Sequence, residues 1–322
     1  MISLFPVHRP RIGISIRAHA LDLVEVRHRW RRLPLVRRIR SRPLPPGLLT
    51  PSCTTPNVSD HEACVRELRA LLDDVHDRTV AIDLPIACGT LGLFQFETFP
   101  PSRVEQDALL RWRFRQEEHV VASDVQLVSQ VFKPCGPENP TRPASVLAVA
   151  IRQSILDQYH RVCEAAGLLP VSMGLSTLHL LDLSRRVMLT TSEAFFAHRT
   201  ADALFVLGFQ RSRPVFLRVK PLRRAHVDLT SELIGTLQFF DSQFPHRATA
   251  SEALCAPLYL VDEGAPSVMV GSPVSPEIWT PTENSDWTVE VTRVNWSTAP
   301  MTSSLSVTYP APFGALAGVL AS

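Results

Sequence analysis

The sequence predicts an α/β protein of two lobes, and three observations carry that class. Short β-prone runs alternate with helical periodicity along most of the chain, the pattern of strands and helices layered on one another. Two strands around a tight polar turn, followed by a helix, occur near residue 11 and again near residue 203, a duplication of pattern rather than identity. Hydrophobic residues make up 45% of the 322 positions against 20% charged, enough core for one large bilobal domain and too much for disorder.

Residues 11–16 and 21–26 read as a hairpin around Arg17-Ala18-His19-Ala20, with a third strand at 33–40. Prolines 43, 45, 46, 51 and 56 make 41–57 a loop. Ser59-Asp60-His61-Glu62 has the spacing of a capping box, opening a helix that buries Val65, Leu68, Leu72 and Val75. Residues 79–84 form a strand stopped by Pro85, and 91–96 an edge strand. A second capping box, Ser102 to Glu105, opens a helix through 118 that carries Leu110, Trp112 and Phe114, and 125–132 returns as a strand. Strand 146–151, a helix with Ile155, Tyr159, Val162 and Ala166 on one side, Gly167 as its stop and strand 168–175 read as a crossover within a parallel sheet. A helix at 177–186 and a polar stretch follow. The opening motif then recurs as strands 203–209 and 215–220 around Gln210-Arg211-Ser212-Arg213, with a helix at 229–244 and a strand at 258–261. A Pro/Ser/Thr-rich tail leads to a small-residue helix at 311–320. The domains expected are 1–90 with 141–190 as the first lobe, 91–140 as an inserted subdomain, and 191–322 as the second lobe.

Composition narrows the function classes. The net charge is +2, from 33 basic and 31 acidic side chains, so bulk electrostatics favour no partner. Lys133 and Lys220 are the only lysines, which leaves no lysine-rich tail. No run reaches the roughly 18 apolar residues of a membrane helix, and Met1 to Pro6 is broken by proline, so a secretion signal is not expected. Six cysteines without a Cys-x-x-Cys pair read as reduced thiols in a cytoplasmic protein. His61 and Cys64 lack a second spaced pair, so no zinc site is expected. No Gly-x-Ser-x-Gly elbow surrounds a serine nucleophile.

The order and spacing of several segments resemble the type IV pilus assembly PilM family, a cytoplasmic branch of the actin-like ATPases related to FtsA. The similar segments are Ile12-Gly13-Ile14-Ser15-Ile16 through Val26, Phe99-Pro100 with Leu110-Arg111-Trp112, Glu164 to Pro170, Thr236-Leu237-Gln238-Phe239-Phe240-Asp241-Ser242-Gln243, and Pro312 to Gly318. The resemblance implies an actin-like (ribonuclease-H-like) two-lobed fold with a small inserted α/β subdomain. Only eight residues, 221–228, stand where the family inserts the second-lobe subdomain that covers adenosine, so that subdomain is expected to be missing.

The departures from the family pattern carry the functional expectation. Where members place an aspartate, a glycine and a lysine in the first phosphate hairpin, this chain has Ser15, Arg17 and Asp22. A second Asp-x-Gly is aligned with Val206 and Gly208, and a glycine-rich adenosine turn with Val261-Asp262-Glu263-Gly264. Serine and valine cannot order a Mg²⁺ ion and its waters. Gly13, Ser15, Arg17, Val206, Gly208, Gly264 and Gly318 are therefore read as a vestigial nucleotide pocket, without catalytic or metal-ligating residues and without ATP or Mg²⁺ as cofactors. The alternative within the family is an ATP-binding protein whose phosphates are held by Arg17, Arg211 and Arg213; another is a GspL-like cytoplasmic domain of type II secretion. The function the resemblance implies is a non-catalytic scaffold of a type IV pilus or related secretion machine, cytoplasmic and peripheral to the inner membrane through its partners. It would bind the cytoplasmic N-terminal peptide of a PilN-like inner-membrane protein, with Leu110, Trp112 and Phe114 of the inserted subdomain as contact candidates. Pilus motor ATPases and self-association are further partners to test. The arginines between Arg27 and Arg42 read first as a solvated face, with lipid headgroups as the functional counter-reading; no recognition motif for nucleic acid accompanies them.

Overall fold

The computed structural model describes residues 10–29, 32–117, 124–132, 143–188, 193–222, 228–243, 254–263, 277–279 and 287–293. Gly264, Gly318, the 311–320 helix and part of the tail lie outside these residues.

The first lobe is a five-stranded sheet in the order β3-β2-β1-β4-β8. It comprises β1 (Ile12–Ile16), β2 (Ala20–Arg29), β3 (Arg32–Pro43), β4 (Thr79–Leu84) and β8 (Leu169–Leu175). The meander β1–β2–β3 is antiparallel, and β4 and β8 extend it in parallel. Helices α1 (His61–Leu71) and α3 (Gln153–Ala165) cover one face, onto which Ile12, Ile14, Ile82, Leu68 and Tyr159 pack. Asp60, not Ser59, is the N-cap of α1: its side chain accepts from the Ala63 N–H, while the Ser59 hydroxyl donates to the Leu48 and Gly47 carbonyls. A hydroxyl already claimed by the preceding loop cannot also cap the helix.

The second lobe repeats the topology. Its sheet, β11-β10-β9-β12-β14-β13, contains β9 (Glu193–Arg199), β10 (Ala203–Gln210), β11 (Arg213–Pro221), β12 (Leu254–Asp262), β13 (Glu277–Trp279) and β14 (Trp287–Arg293). The order β11-β10-β9-β12-β14 matches β3-β2-β1-β4-β8 strand for strand. Helix α5 (Leu229–Gln243) seals one face through Leu233, Leu237 and Phe240. The other face, through Phe196, Phe205 and Leu207, merges with the first-lobe core, and α4 (Ser176–Met188) lies between the lobes with Leu180 and Leu181 in that shared core.

The inserted unit is a three-stranded antiparallel sheet, β5-β7-β6, made of β5 (Thr90–Phe96), β6 (Val125–Phe132) and β7 (Ala144–Arg152), with α2 (Arg103–Glu117) on one face. Two expectations change here. Strand β7 is the centre of this sheet, so the unit extends past residue 140 to Arg152. The β7–α3–β8 segment is therefore not a crossover within one parallel sheet, because β7 and β8 belong to different sheets. A strand–helix–strand rhythm fixes the elements but not which neighbours each strand takes.

The arginine run has internal work. Arg40 donates to the Leu71 carbonyl (3.3 Å) and Arg38 to the Asp74 carbonyl (3.4 Å), cations set against the C-terminal end of α1. Arg42 pairs with Glu67 at 2.6 Å, and Arg37 and Arg38 lie within 3.9 Å of Glu25. These contacts favour the structural reading of the run over the lipid one.

Candidate functional site

The hairpin turns that face each other between the lobes are β1–β2 and β9–β10. Both close in the same way: Arg17 N–H donates to Ala20 O and Thr200 N–H to Ala203 O, each at 2.9 Å. The last strand pairs, Ile16 with Leu21 and Arg199 with Leu204, superpose the two hairpins and make His198 the counterpart of Ser15 and Thr200 of Arg17. The second hairpin therefore lies one strand earlier than Val206 and Gly208. Both of those sit mid-strand on β10; Val206 is buried in the second-lobe core, and a Cβ on Gly208 would lie 3.1 Å from the Phe195 ring. The missed strand, β9, lies in the stretch read as polar. Its four-residue apolar run, Ala194-Phe195-Phe196-Ala197, is buried on both faces and shows no alternation.

A row of register partners crosses the first-lobe sheet: Ser41, Asp22, Ser15, Asp83 and Gly174. Directly paired residues share a face, so Ser15 stands between two carboxylates, both with no exposed surface. Arg17 reaches Asp22 at 2.6 Å. Burial pushes the Asp22 carboxyl up, and Arg17 pulls it back only in part. The His179 ring donates from Nδ1 to Asp83 and lies so close to Gly174 that a Cβ there would be 2.6 Å from the ring. Burial raises Asp83 to about 6 against the pull of His179; burial alone would lower His179, and the Asp83 contact more than offsets it, leaving His179 raised.

The opposite wall holds a second histidine–carboxylate pair. His198, wholly buried, has Nε2 3.1 Å from Glu263 Oε1 and Nδ1 2.8 Å from the Thr177 hydroxyl. A carboxylate only accepts, so Nε2 carries the proton, and in the neutral ring Nδ1 accepts from Thr177. Burial raises Glu263, but the His198 contact, with Arg17 and His19 opposite, brings its carboxyl below the ordinary range. Asp262 pairs with Arg199 at 3.4 Å. Among the described residues no group of three or more metal-type side chains converges. The arginine site does not assemble: Arg17 faces Asp22, while Arg213, at the far end of β10, donates to the Ser145 hydroxyl (3.2 Å) and to the Pro143 carbonyl. Asp83, Thr177, His179 and His198 carry no motif in the sequence; only the fold brings them together.

These shifts set a pH dependence. Asp83 is raised from 3.8 to about 6, so the stability it lends is present below pH 3.8 and lost as pH rises through 6. Glu263 runs the other way, lending stability above its ordinary 4.5 and losing it as pH falls through its lower folded value. Asp83→Asn removes the first slope. Relative to the parent, its stability is expected to rise on the order of 2 kcal/mol between about pH 4 and about pH 7, read from urea midpoints.

A second feature is a groove on the face of the inserted sheet away from α2. A pocket of about 150 Å³ is lined by Val128, Gln130, Phe132, Val149, Leu178 and Phe209, among others. It draws on β6 and β7, on α4 and on second-lobe strand β10. Strand β6 is the outer strand of its sheet, and Val128 is 62% exposed. The expected contact residues lie on the other face. Leu110 and Phe114 are buried under α2 with Phe94 and Phe96, and of the three only Trp112 reaches solvent. Their helical spacing marks the stripe α2 buries against its own sheet.

No family model and no curated protein matches this sequence. Among solved structures, a PilM–PilN type IV pilus biogenesis complex is similar with a TM-score of 0.61 and 23% identity, covering 79% of this chain and 82% of that one. A Bacteroides thetaiotaomicron protein of actin-like ATPase fold (TM-score 0.43, 14% identity, 81% and 85% covered) and the cytoplasmic domain of EpsL from the Vibrio cholerae type II secretion system (0.41, 13%, 78% and 81%) are more distant. With the repeated strand order and the inserted three-stranded sheet, the chain has the actin-like α/β fold in the form seen in PilM.

Proposed function

We propose that this chain is a non-catalytic scaffold of a type IV pilus or related secretion machine, working at the cytoplasmic face of the inner membrane. Its task in that reading is to hold an extended peptide from a PilN-like partner in the groove beside β6. The single observation that carries this is an outer strand whose exposed Val128 lines an apolar pocket beside it. An extended segment that adds to the outer side of β6, where no strand lies among the described residues, gains main-chain hydrogen bonds and drops alternate side chains into the pocket. The likeness to a PilM–PilN complex supports the choice of partner. Among the described residues no helix is long and apolar enough to cross a membrane.

Loss of nucleotide chemistry is the second half of the proposal. Ser15 and His198 stand at the two hairpin positions where a carboxylate would order Mg²⁺, and Glu263 adds negative charge between them. Millimolar Mg-ATP is expected to leave the melting temperature unchanged, since a ligand of native affinity would raise it.

The test is titration with the N-terminal peptide of a one-span protein encoded beside this chain. Val128→Glu, at an exposed position that the fold does not need, is expected to weaken binding about tenfold or more by placing a charge against the apolar peptide. Trp112→Ala, on the far face, is expected to change nothing. Equal loss from both variants, or none from Val128→Glu, sinks the groove assignment.

A further inference from the structure

His198 is the hub of a chain of contacts that crosses between the lobes. Its strand, β9, belongs to the second-lobe sheet, whereas Thr177 opens α4, which lies between the lobes and packs on β4 and β8 of the first as well as on β9 itself. Glu263 follows β12, and its N–H donates to the Arg199 carbonyl (3.0 Å), which fixes the carboxylate beside β9. From the opposite wall Arg17 and His19, in the β1–β2 turn, act on the same carboxylate, and Asp83 senses both His198 and Glu263. Each wall satisfies its own charges, Arg17 with Asp22 on one side and His198 with Glu263 on the other, and across the gap Arg17 and His19 act on Glu263 by charge alone. Thr177 and His198 have no exposed surface, so water does not compete for their contact. The same lobe position has a second effect. Phe209, near the end of β10 remote from the β9–β10 turn, is one wall of the pocket beside β6.

We propose that the Thr177–His198–Glu263 relay is a latch that holds the two lobes closed with no ligand between them, and that this closed position keeps Phe209 in the groove wall. The regulatory half rests on the groove reading above, whereas the latch stands without it. A partner peptide would then meet a groove already formed, and release of the latch would withdraw one of its walls.

The test places spin labels at positions 66 and 235, exposed on α1 and α5, and measures their distance in the full chain. The parent is expected to give one narrow distribution, unchanged by millimolar Mg-ATP. Thr177→Val keeps the volume and removes the hydroxyl, and Glu263→Gln keeps an acceptor and removes the charge. Each is expected to broaden the distribution toward longer distances and to speed amide exchange in β6 by roughly tenfold, the scale of one lost buried hydrogen bond. Leu110→Ala, a cavity in the core of the inserted sheet, which holds neither labelled helix, serves as control: it lowers stability but should not move the labels. Unaltered distances in both relay variants, or a parent that narrows only with Mg-ATP, overturn the latch. Longer distances with unaltered β6 exchange overturn the link to the groove. Because neither readout uses a peptide, failure of the peptide titration is told apart from failure of the latch; if Thr177→Val does not fold, Glu263→Gln carries the test.

Discussion

Replacing His179 with alanine is expected to destabilise the protein by about 3–5 kcal/mol, a fall in melting temperature of about 4–7 °C for a chain of this size. Asp83 has no exposed surface, and its Oδ2 has no hydrogen-bond partner among the described residues. His179 Nδ1–H is the donor that Oδ1 holds. Without the ring, Asp83 must stay charged in an apolar layer or take up a proton far above its ordinary range, and both cost stability. A void would also open beside Gly174, where the ring packs with no room for a Cβ. The double variant Asp83→Leu/His179→Met tests the cause. If the cost is the orphaned charge, the double variant recovers most of the loss, since an apolar pair can replace a buried ion pair. A single variant within 1 kcal/mol of the parent in urea unfolding, on the order of the experimental error, would sink the argument.

Phe240→Ala is expected to cost a similar 3–5 kcal/mol for a different reason. Its ring meets Phe195 at 5.0 Å and 90° and Phe216 at 5.2 Å and 72°, edge-on contacts at the centre of the second-lobe core. Helix α5 holds that face of the sheet through Leu233, Leu237 and Phe240, so a cavity at Phe240 loosens the helix from the sheet it covers. Amide exchange is expected to rise first in α5, β10 and β11. Phe239→Ala next to it, where the ring is 47% exposed, is expected to cost less than about 1 kcal/mol. Comparable losses at the two positions would mean that α5 is held by something other than this core.

Much of the fold was legible in the sequence, and the misses share a cause. Capping and helical-period signals located α1, α3 and α5, because each has one wet face and one dry face, whereas the β1–β2 hairpin, with β1 dry on both faces, was marked by the polar turn between its β-prone runs. Strand β9 was invisible because both of its faces are dry, and losing it moved the second hairpin by one strand and carried Val206 and Gly208 into the site by mistake. The pairing of β7 with β5 and β6 rather than β8 is a choice among sheet edges, which periodicity does not encode. Ser15 and Arg17 were found through the family pattern. Asp83, His179, His198 and Thr177 were not, because four isolated residues gain meaning only when register and lobe packing set them side by side. The stripe of Leu110 and Phe114 was read from the correct helix and the wrong face of its sheet.

The edges of the sheets differ in how they are defended. Strand β3 carries arginines bound back onto α1, and β8 carries Pro170, which lacks a backbone donor. Strand β6 has neither: Val-Gln-Leu-Val-Ser-Gln-Val-Phe contains no charge, no proline and no glycine, and no strand pairs with its outer side among the described residues. Eight such residues on an open edge match the composition of segments that stack into fibrils. A peptide added to β6, as proposed above, would cover this edge as well. Made alone the protein is expected to precipitate with time and concentration, and made together with a peptide that covers β6 it is expected to stay dispersed.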